Sequence, residues 1–226
     1  MNLLIDADDP LWENNIYFER AFDEFVDFLG HSTLTPLQVR EVLNEIELAN
    51  ARVHGYGSAN FGRNLQQAYH HLVERAIAPG DLEQIMSFAT RIMEQPLELI
   101  PGVRDTLEAL ASRHELTLFT KGNPDEQQLK IDSSGLAPYF VRTAIVKEKD
   151  ASAYRSAVDR FSIDLESTWM IGNSPKSDIN PALEAGLGAV LVPHDRTWVL
   201  ELQDLRVPEG ARFHRVESFM GLCRLF

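Results

Sequence analysis

Five short apolar runs constrain this chain more than any other feature. They are Leu3 to Ile5, Leu116 to Phe119, Thr143 to Val146, Trp169 to Ile171 and Ala189 to Val192. Each is too short for a helix, carries no charge and is bounded by turn residues. Runs of this kind read as strands buried on both faces, which is the signature of a parallel sheet. Helical patterns lie between the later ones. Val103 to Arg113 has apolar residues at Val103, Leu107, Leu110 and Ala111, and Ala153 to Phe161 repeats at Tyr154, Ala157, Val158 and Phe161. Asn180 to Ala185 is a short helix with Gly186 as its C-cap. This alternation predicts an α/β fold with a doubly wound parallel sheet. Phe213 to Val216 reads as a short edge strand and Val216 to Leu225 as a closing helix.

About a hundred residues separate the first run from the second, too many for a simple crossover. The stretch from Asn14 to Leu99 reads as helical almost throughout. Tyr17, Phe18, Phe22, Phe25, Val26 and Leu29 mark an amphipathic helix. Thr35-Pro36 starts the next, with Thr35 as cap and Pro36 at the first helical position. Leu65 to Ile77 and Leu82 to Met93 follow. The expected organisation is a core of residues 1–13 and 100–226, with residues 14–99 as an inserted helical subdomain. Within the insert, "NARVHGYGSANFGRN" interrupts the pattern. Gly55, Gly57 and Gly62 frame Tyr56 and Phe61, and Arg52, His54, Arg63 and Asn64 are polar candidates there for reading a ligand.

Charge and cysteine usage narrow the function classes. The 226 residues carry a formal net charge of -13, which disfavours a general nucleic-acid surface. No apolar run approaches the length of a membrane span. Leu3 to Ile5 is too short for the apolar core of a secretion signal, and acids follow at once. The one cysteine, Cys223, suits a reducing compartment, so a cytoplasmic protein, monomer or homodimer, is expected.

The polar residues concentrate where the strands end. Asp6, Asp8 and Asp9 follow the first run, and Thr120, Lys121 and Gly122 the second. Lys147 and Lys149 follow the third, and Asn173, Ser174 and Asp178 the fourth. In open α/β sheets the carboxyl ends of the strands form the ligand site. The residue types make chemical sense together. A carboxylate can attack phosphorus to give an aspartyl-phosphate. A second acid can protonate the leaving alkoxide and then deprotonate water. Converging oxygen ligands call for a divalent cation, with Mg²⁺ favoured. A hydroxyl and an ammonium can steady the phosphoryl oxygens.

In these four segments the chain resembles the haloacid dehalogenase (HAD) superfamily, whose members are mostly phosphatases. "DAD" at Asp6 to Asp8, "LTLFTKGNP", "VKEKDASAYR" and "MIGNSPKSDINPALEAGLGAV" are similar to its four motifs and come in its order. The helical insert looks like the family's C1 cap, which would close over the substrate. The resemblance implies Asp6 as nucleophile and Asp8 as general acid/base. It implies Thr120, with Lys121 and Gly122, and Lys149 as phosphate-holding groups, Lys147 being the competing lysine. It implies Mg²⁺ held by Asp6, Asp8 through its carbonyl, and Asn173 and Asp178, either of which would be the direct ligand, Asp178 acting directly or through water. The substrate would be a small phosphorylated metabolite.

Two departures stand out. Pro10 occupies a place where the family often has Thr or Val, and Asn173 one where it often has Asp. Asp9 is expected outside the metal's shell, and Trp12 as a packing residue. Haloacid dehalogenases lack an acid at the place of Asp8, so phosphate ester hydrolysis is the expected reaction. The alternative is a phospho-ligand binding or regulatory protein on the same fold with its chemistry idle.

Overall fold

The computed structural model describes residues 1–226. The chain divides into two compact units, Met1–Asn15 with Leu97–Phe226, and Ile16–Pro96.

The second unit is helical. Its helices are α1 (Asn15–Leu29), α2 (Pro36–His54), α3 (Ser58–Leu72) and α4 (Asp81–Thr90). On α1, Tyr17, Ala21, Phe22 and Phe25 fall on one face and are buried with Leu43, Leu65, Tyr69 and Ile85. Thr35 begins α2 with a full capping box: its hydroxyl accepts the Gln38 N–H and its own N–H donates to Gln38 Oε1. The break between α2 and α3 is confined to Gly55–Gly57, much shorter than the interruption expected from the sequence. Arg63 and Asn64 therefore lie within α3, where Asn64 accepts from Asn50. Gly62 is a packing glycine, since a Cβ there would lie 2.5 Å from the Met86 sulfur. α3 ends at Leu72 rather than Ile77. Asp81 holds the start of α4 against α3 by accepting from Tyr69, Arg75 and the Ala78 N–H.

The first unit holds a six-stranded sheet of β1 (Asn2–Ile5), β2 (Glu115–Lys121), β3 (Arg142–Val146), β4 (Thr168–Gly172), β5 (Gly188–Leu191) and β6 (Phe213–Arg215). All neighbours run parallel, in the order β3-β2-β1-β4-β5-β6. The helices are α5 (Val103–Ala111), α6 (Pro124–Ser134), α7 (Ala151–Phe161) and α8 (Asn180–Ala185). Alternate β1 side chains serve opposite faces. Leu3 and Ile5 pack with Val103, Leu107 and Leu110 of α5, and Leu4 with Phe119, Tyr154 and Ala182. Both faces are covered, which is why the strands read as unbroken apolar runs. The C-terminal segment closes as a 3-10 turn, Phe219–Arg224, rather than a regular helix. No helix is long and apolar enough to cross a membrane.

One helix was not legible in the sequence. The helix α6 follows Asn123, whose side chain accepts from the Asp125 and Glu126 N–H groups, with Pro124 at the first helical position. Its buried residues are Gln127, Ile131 and Ser134. Two of these three are polar, so no apolar stripe announces the helix.

Candidate active site

The chain order reverses between β1 and β4, so their carboxyl ends lie side by side at the centre of the sheet. Ile5 pairs with Ile171, and the Asp6 N–H donates to the Ile171 carbonyl at 2.9 Å. This register carries Asp6 past the end of β1, beside Gly172. Beyond Asp8 the chain turns sharply, with Asp9 at φ 74° and the Leu11 N–H bonded to the Ala7 carbonyl. Pro10 sits inside that turn.

Three expected residues meet in one buried cluster. Lys149 Nζ lies 2.5 Å from Asp6 Oδ1 and 2.8 Å from Asp178 Oδ1. Lys149 is 4% exposed and Asp178 0%, whereas Lys147 is exposed on the surface. Asp178 is set by a single π-helical turn, Pro175–Ile179, and its other oxygen accepts the Ser174 N–H at 2.9 Å. Gly172 makes the space: a Cβ there would fall 2.2 Å from Asp178 Oδ2.

Burial, helped by the Asp178 carboxylate, pushes the Asp6 carboxyl up to about 7, although Lys149 pulls it down. Burial alone would lower the Lys149 ammonium; Asp178 and Asp6 outweigh it and hold the group above its ordinary value.

A second group forms around Asp8. Lys130 Nζ donates to both of its oxygens, at 2.7 and 2.8 Å, and Trp12 Nε1 donates to Oδ1 at 2.7 Å. Gln127 Nε2 donates to Asp8 Oδ2 at 3.2 Å and to Thr120 Oγ1 at 2.7 Å. Sequence reasoning missed Gln127 and Lys130, and read Trp12 as packing alone. Trp12 is indeed fully buried in the core, with its ring N–H turned onto Asp8. The Asn123-Pro124 cap was the available signal for a helix that places residues 127 and 130 on one face.

Lys121 and Gly122 have hydrogen-bond partners outside both groups. The Lys121 ammonium lies 2.6 Å from Glu201 Oε1 and 2.9 Å from Ser177 Oγ, and the Gly122 N–H donates to the Val146 carbonyl. Glu201 also accepts from Ser174 Oγ at 2.6 Å. Asp9 is held by partners outside the Asp6 cluster. Its Oδ1 accepts the Asn14 and Asn15 N–H groups at 3.0 Å and lies 3.9 Å from His194, which is 3.5 Å from Glu13. Burial raises the Asp9 carboxyl to about 6, against the hydrogen bonds and His194 that lower it.

The Asp6 cluster suits a hard divalent cation. When Asp6 is ionised, as a nucleophile must be, one ammonium faces two buried carboxylates and one negative charge is left uncompensated. Asn173 is buried too, and its amide nitrogen donates to Thr197 Oγ1 at 3.0 Å, so its oxygen is the atom that could ligate a cation. Carboxylate, amide and carbonyl oxygens are the donors such a cation takes.

Residues 2–186 match the haloacid dehalogenase-like hydrolase family, and the chain belongs to it. It is 28% identical over 183 residues to a phosphoserine phosphatase of Thermus thermophilus, covering 78% of this chain and 70% of that one. It is 29% identical over 113 residues to a glyceraldehyde 3-phosphate phosphatase of Pyrococcus furiosus, covering 47% of each. Among solved structures, a HAD-like hydrolase from Xanthomonas campestris superposes with a TM-score of 0.83 at 28% identity, over 100% of this chain and 93% of that one. The magnesium-bound HAD hydrolase YfnB of Bacillus subtilis gives 0.70 at 19% identity, over 99% and 97% of the two chains. A 2-haloacid dehalogenase of Pseudomonas syringae gives 0.63 at 21%, over 99% and 96%. The last two establish a shared fold. The chain is thus a HAD-like hydrolase with relatives named as phosphatases.

Proposed function

We propose that the protein is a Mg²⁺-dependent phosphoric monoester hydrolase acting on a small phosphorylated metabolite through an aspartyl-phosphate on Asp6. The observation that carries this reading is the Asp8 carboxylate, two residues past the buried Asp6 and hydrogen-bonded on both oxygens. A halide leaves without a proton, so a dehalogenase has no use for an acid there. An alkoxide leaving group needs one. The two relatives named as phosphatases support the same choice.

An Asp6 oxygen attacks phosphorus and the P–O bond to the leaving group breaks. Asp8, once it has taken up a proton in place of one of the hydrogen bonds it accepts from Lys130, Trp12 and Gln127, gives that proton to the departing alkoxide. Asp8 then takes a proton from water, whose oxygen attacks the aspartyl-phosphate to release phosphate and restore Asp6. The Thr120 hydroxyl and the Lys149 ammonium hold phosphoryl oxygens as charge develops on them. Asp6, the Asp8 carbonyl, Asn173 and Asp178 would hold Mg²⁺, which when bound offsets the repulsion between Asp6 and the phosphoryl group. The helical unit, in this reading, is the cap that selects the substrate and limits water.

The test is p-nitrophenyl phosphate hydrolysis with Mg²⁺ and with EDTA, beside Asp6→Asn. Mg²⁺-dependent release that vanishes in the variant is expected. No release from this ester or from a broad panel of phosphorylated metabolites would sink the reading in favour of an idle binding protein.

A further inference from the structure

Gln127 and Lys130 stand three residues apart on α6 and reach Asp8 and Thr120, two polar residues of this site outside the Asp6–Lys149–Asp178 cluster. Gln127 is 3% exposed, and its side chain fits against a backbone stretch with no Cβ: one added at Gly122 would lie 3.0 Å from Gln127 Cγ. The direction of its amide is fixed by chemistry. Asp8 Oδ2 is a carboxylate oxygen and accepts, so the group facing it is the NH₂. The second hydrogen of that NH₂ goes to Thr120 Oγ1 at 2.7 Å. The Thr120 oxygen is thereby an acceptor toward Gln127, and its own hydrogen points elsewhere. Thr120 can then act as a donor, which is what a phosphoryl oxygen requires. Lys130, with Asn14 Oδ1 3.0 Å away on its other side, clasps both Asp8 oxygens and with Trp12 fixes the aim of that carboxylate.

We propose that Gln127 and Lys130 are positioning residues: Gln127 sets the Thr120 hydroxyl to donate to the substrate's phosphoryl group, and Lys130 sets the orientation of the Asp8 carboxylate toward the leaving group. The inference rests on the phosphatase reading. It also explains why α6 buries a polar face.

The test uses steady-state hydrolysis of an aryl ester, p-nitrophenyl phosphate, and an alkyl ester, glycerol 2-phosphate, by the full chain with Mg²⁺. Gln127→Met removes the donor without adding a charge beside Asp8, so nothing turns the Thr120 hydrogen toward the phosphoryl group. We expect kcat to fall at least about tenfold on both esters, and less than about threefold when Thr120 is already Ala. Lys130→Met should lower kcat/KM for the alkyl ester at least about tenfold more than for the aryl ester, whose leaving group needs little proton assistance. Lys130→Arg should recover most of the loss. A merely structural role would lower both esters alike and leave the Thr120→Ala background equally sensitive. Variants within twofold of an active wild type, or losses equal on both esters for Lys130→Met, would overturn the inference and leave the phosphatase reading standing. A wild type silent on every ester would overturn both.

Discussion

Lys149 Nζ and Asp6 Oδ1 are 2.5 Å apart, and the same ammonium is 2.8 Å from Asp178. Lys149→Met would leave two buried carboxylates facing each other without a cation. Breaking a buried pair in this way costs about 3–5 kcal/mol. The loss should be smaller at pH 5 than at pH 8. Asp6, already raised by burial and Asp178, takes up a proton on acidification and the repulsion disappears. Thermal melting at the two pH values checks this. Added Mg²⁺ should restore part of the lost melting temperature, because a ligand bound by the folded state alone stabilises it.

Gly172 and Asp178 share one space, and a Cβ on the glycine would sit 2.2 Å from the carboxylate. Gly172→Ala must displace Asp178, which is held by Lys149 and the Ser174 N–H. The expected result is a folded protein whose Mg²⁺-dependent rise in melting temperature needs about tenfold more Mg²⁺, a shift of about 1.4 kcal/mol in binding. A Mg²⁺ titration followed by thermal shift measures it. An unchanged titration would show that Asp178 is not part of the cation site.

Glu47 is buried in the helical unit, and one of its oxygens lacks a hydrogen-bond partner. Burial raises its carboxyl from 4.5 to about 7, with Arg40 lowering it and Glu19 raising it. Between those values the folded state binds more proton than the unfolded chain, so stability falls as pH rises. The penalty is absent below about pH 4.5 and complete above about pH 7, where it reaches about 3 kcal/mol. Glu47→Gln should match the wild type at pH 4.5 and exceed it progressively up to pH 8. Paired urea unfolding curves across that range check the prediction. A constant difference between the two proteins would refute it.

The strands and the strand-end acids were legible because burial on both faces keeps charge out of the strand interiors, where threonines such as Thr117 are the exceptions to an apolar run, and function places the acids just beyond β1 and β4. Asp6, Asp178 and Lys149 follow three separate strands; register sets Asp6 beside the end of β4, and the loop after β3 and the π-helical turn after β4 carry Lys149 and Asp178 to it. What the sequence hid was α6. A helix is read from an apolar stripe, and α6 turns Gln127 and Lys130 toward Asp8 and Thr120 instead. The site thus interrupted the local pattern where it drew on it most. The Gly55–Gly57 break was read too long for a related reason. Gly62 looks like a loop residue in sequence, yet it is there to let α3 approach Met86.

Lys121 separates two roles for a lysine at the end of β2. The sequence suggests a phosphate-binding side chain. In the fold its ammonium is 2.6 Å from the buried Glu201, which also accepts from Ser174. Lys121 and Ser174 together hold the Glu201 carboxyl below its ordinary value, although burial opposes them. Lys121→Met removes the nearer of two cations and leaves the buried carboxylate with only Lys176, 3.8 Å away. The expected outcome is a loss of about 2–4 kcal/mol in stability, with KM for p-nitrophenyl phosphate changed less than about threefold. The double variant Lys121→Met/Glu201→Gln should recover much of the stability, since the weakly compensated buried charge is gone. A KM raised tenfold or more in Lys121→Met, without a matching loss of stability, would instead place this ammonium on the substrate. Melting curves and steady-state kinetics on the two variants decide between the roles.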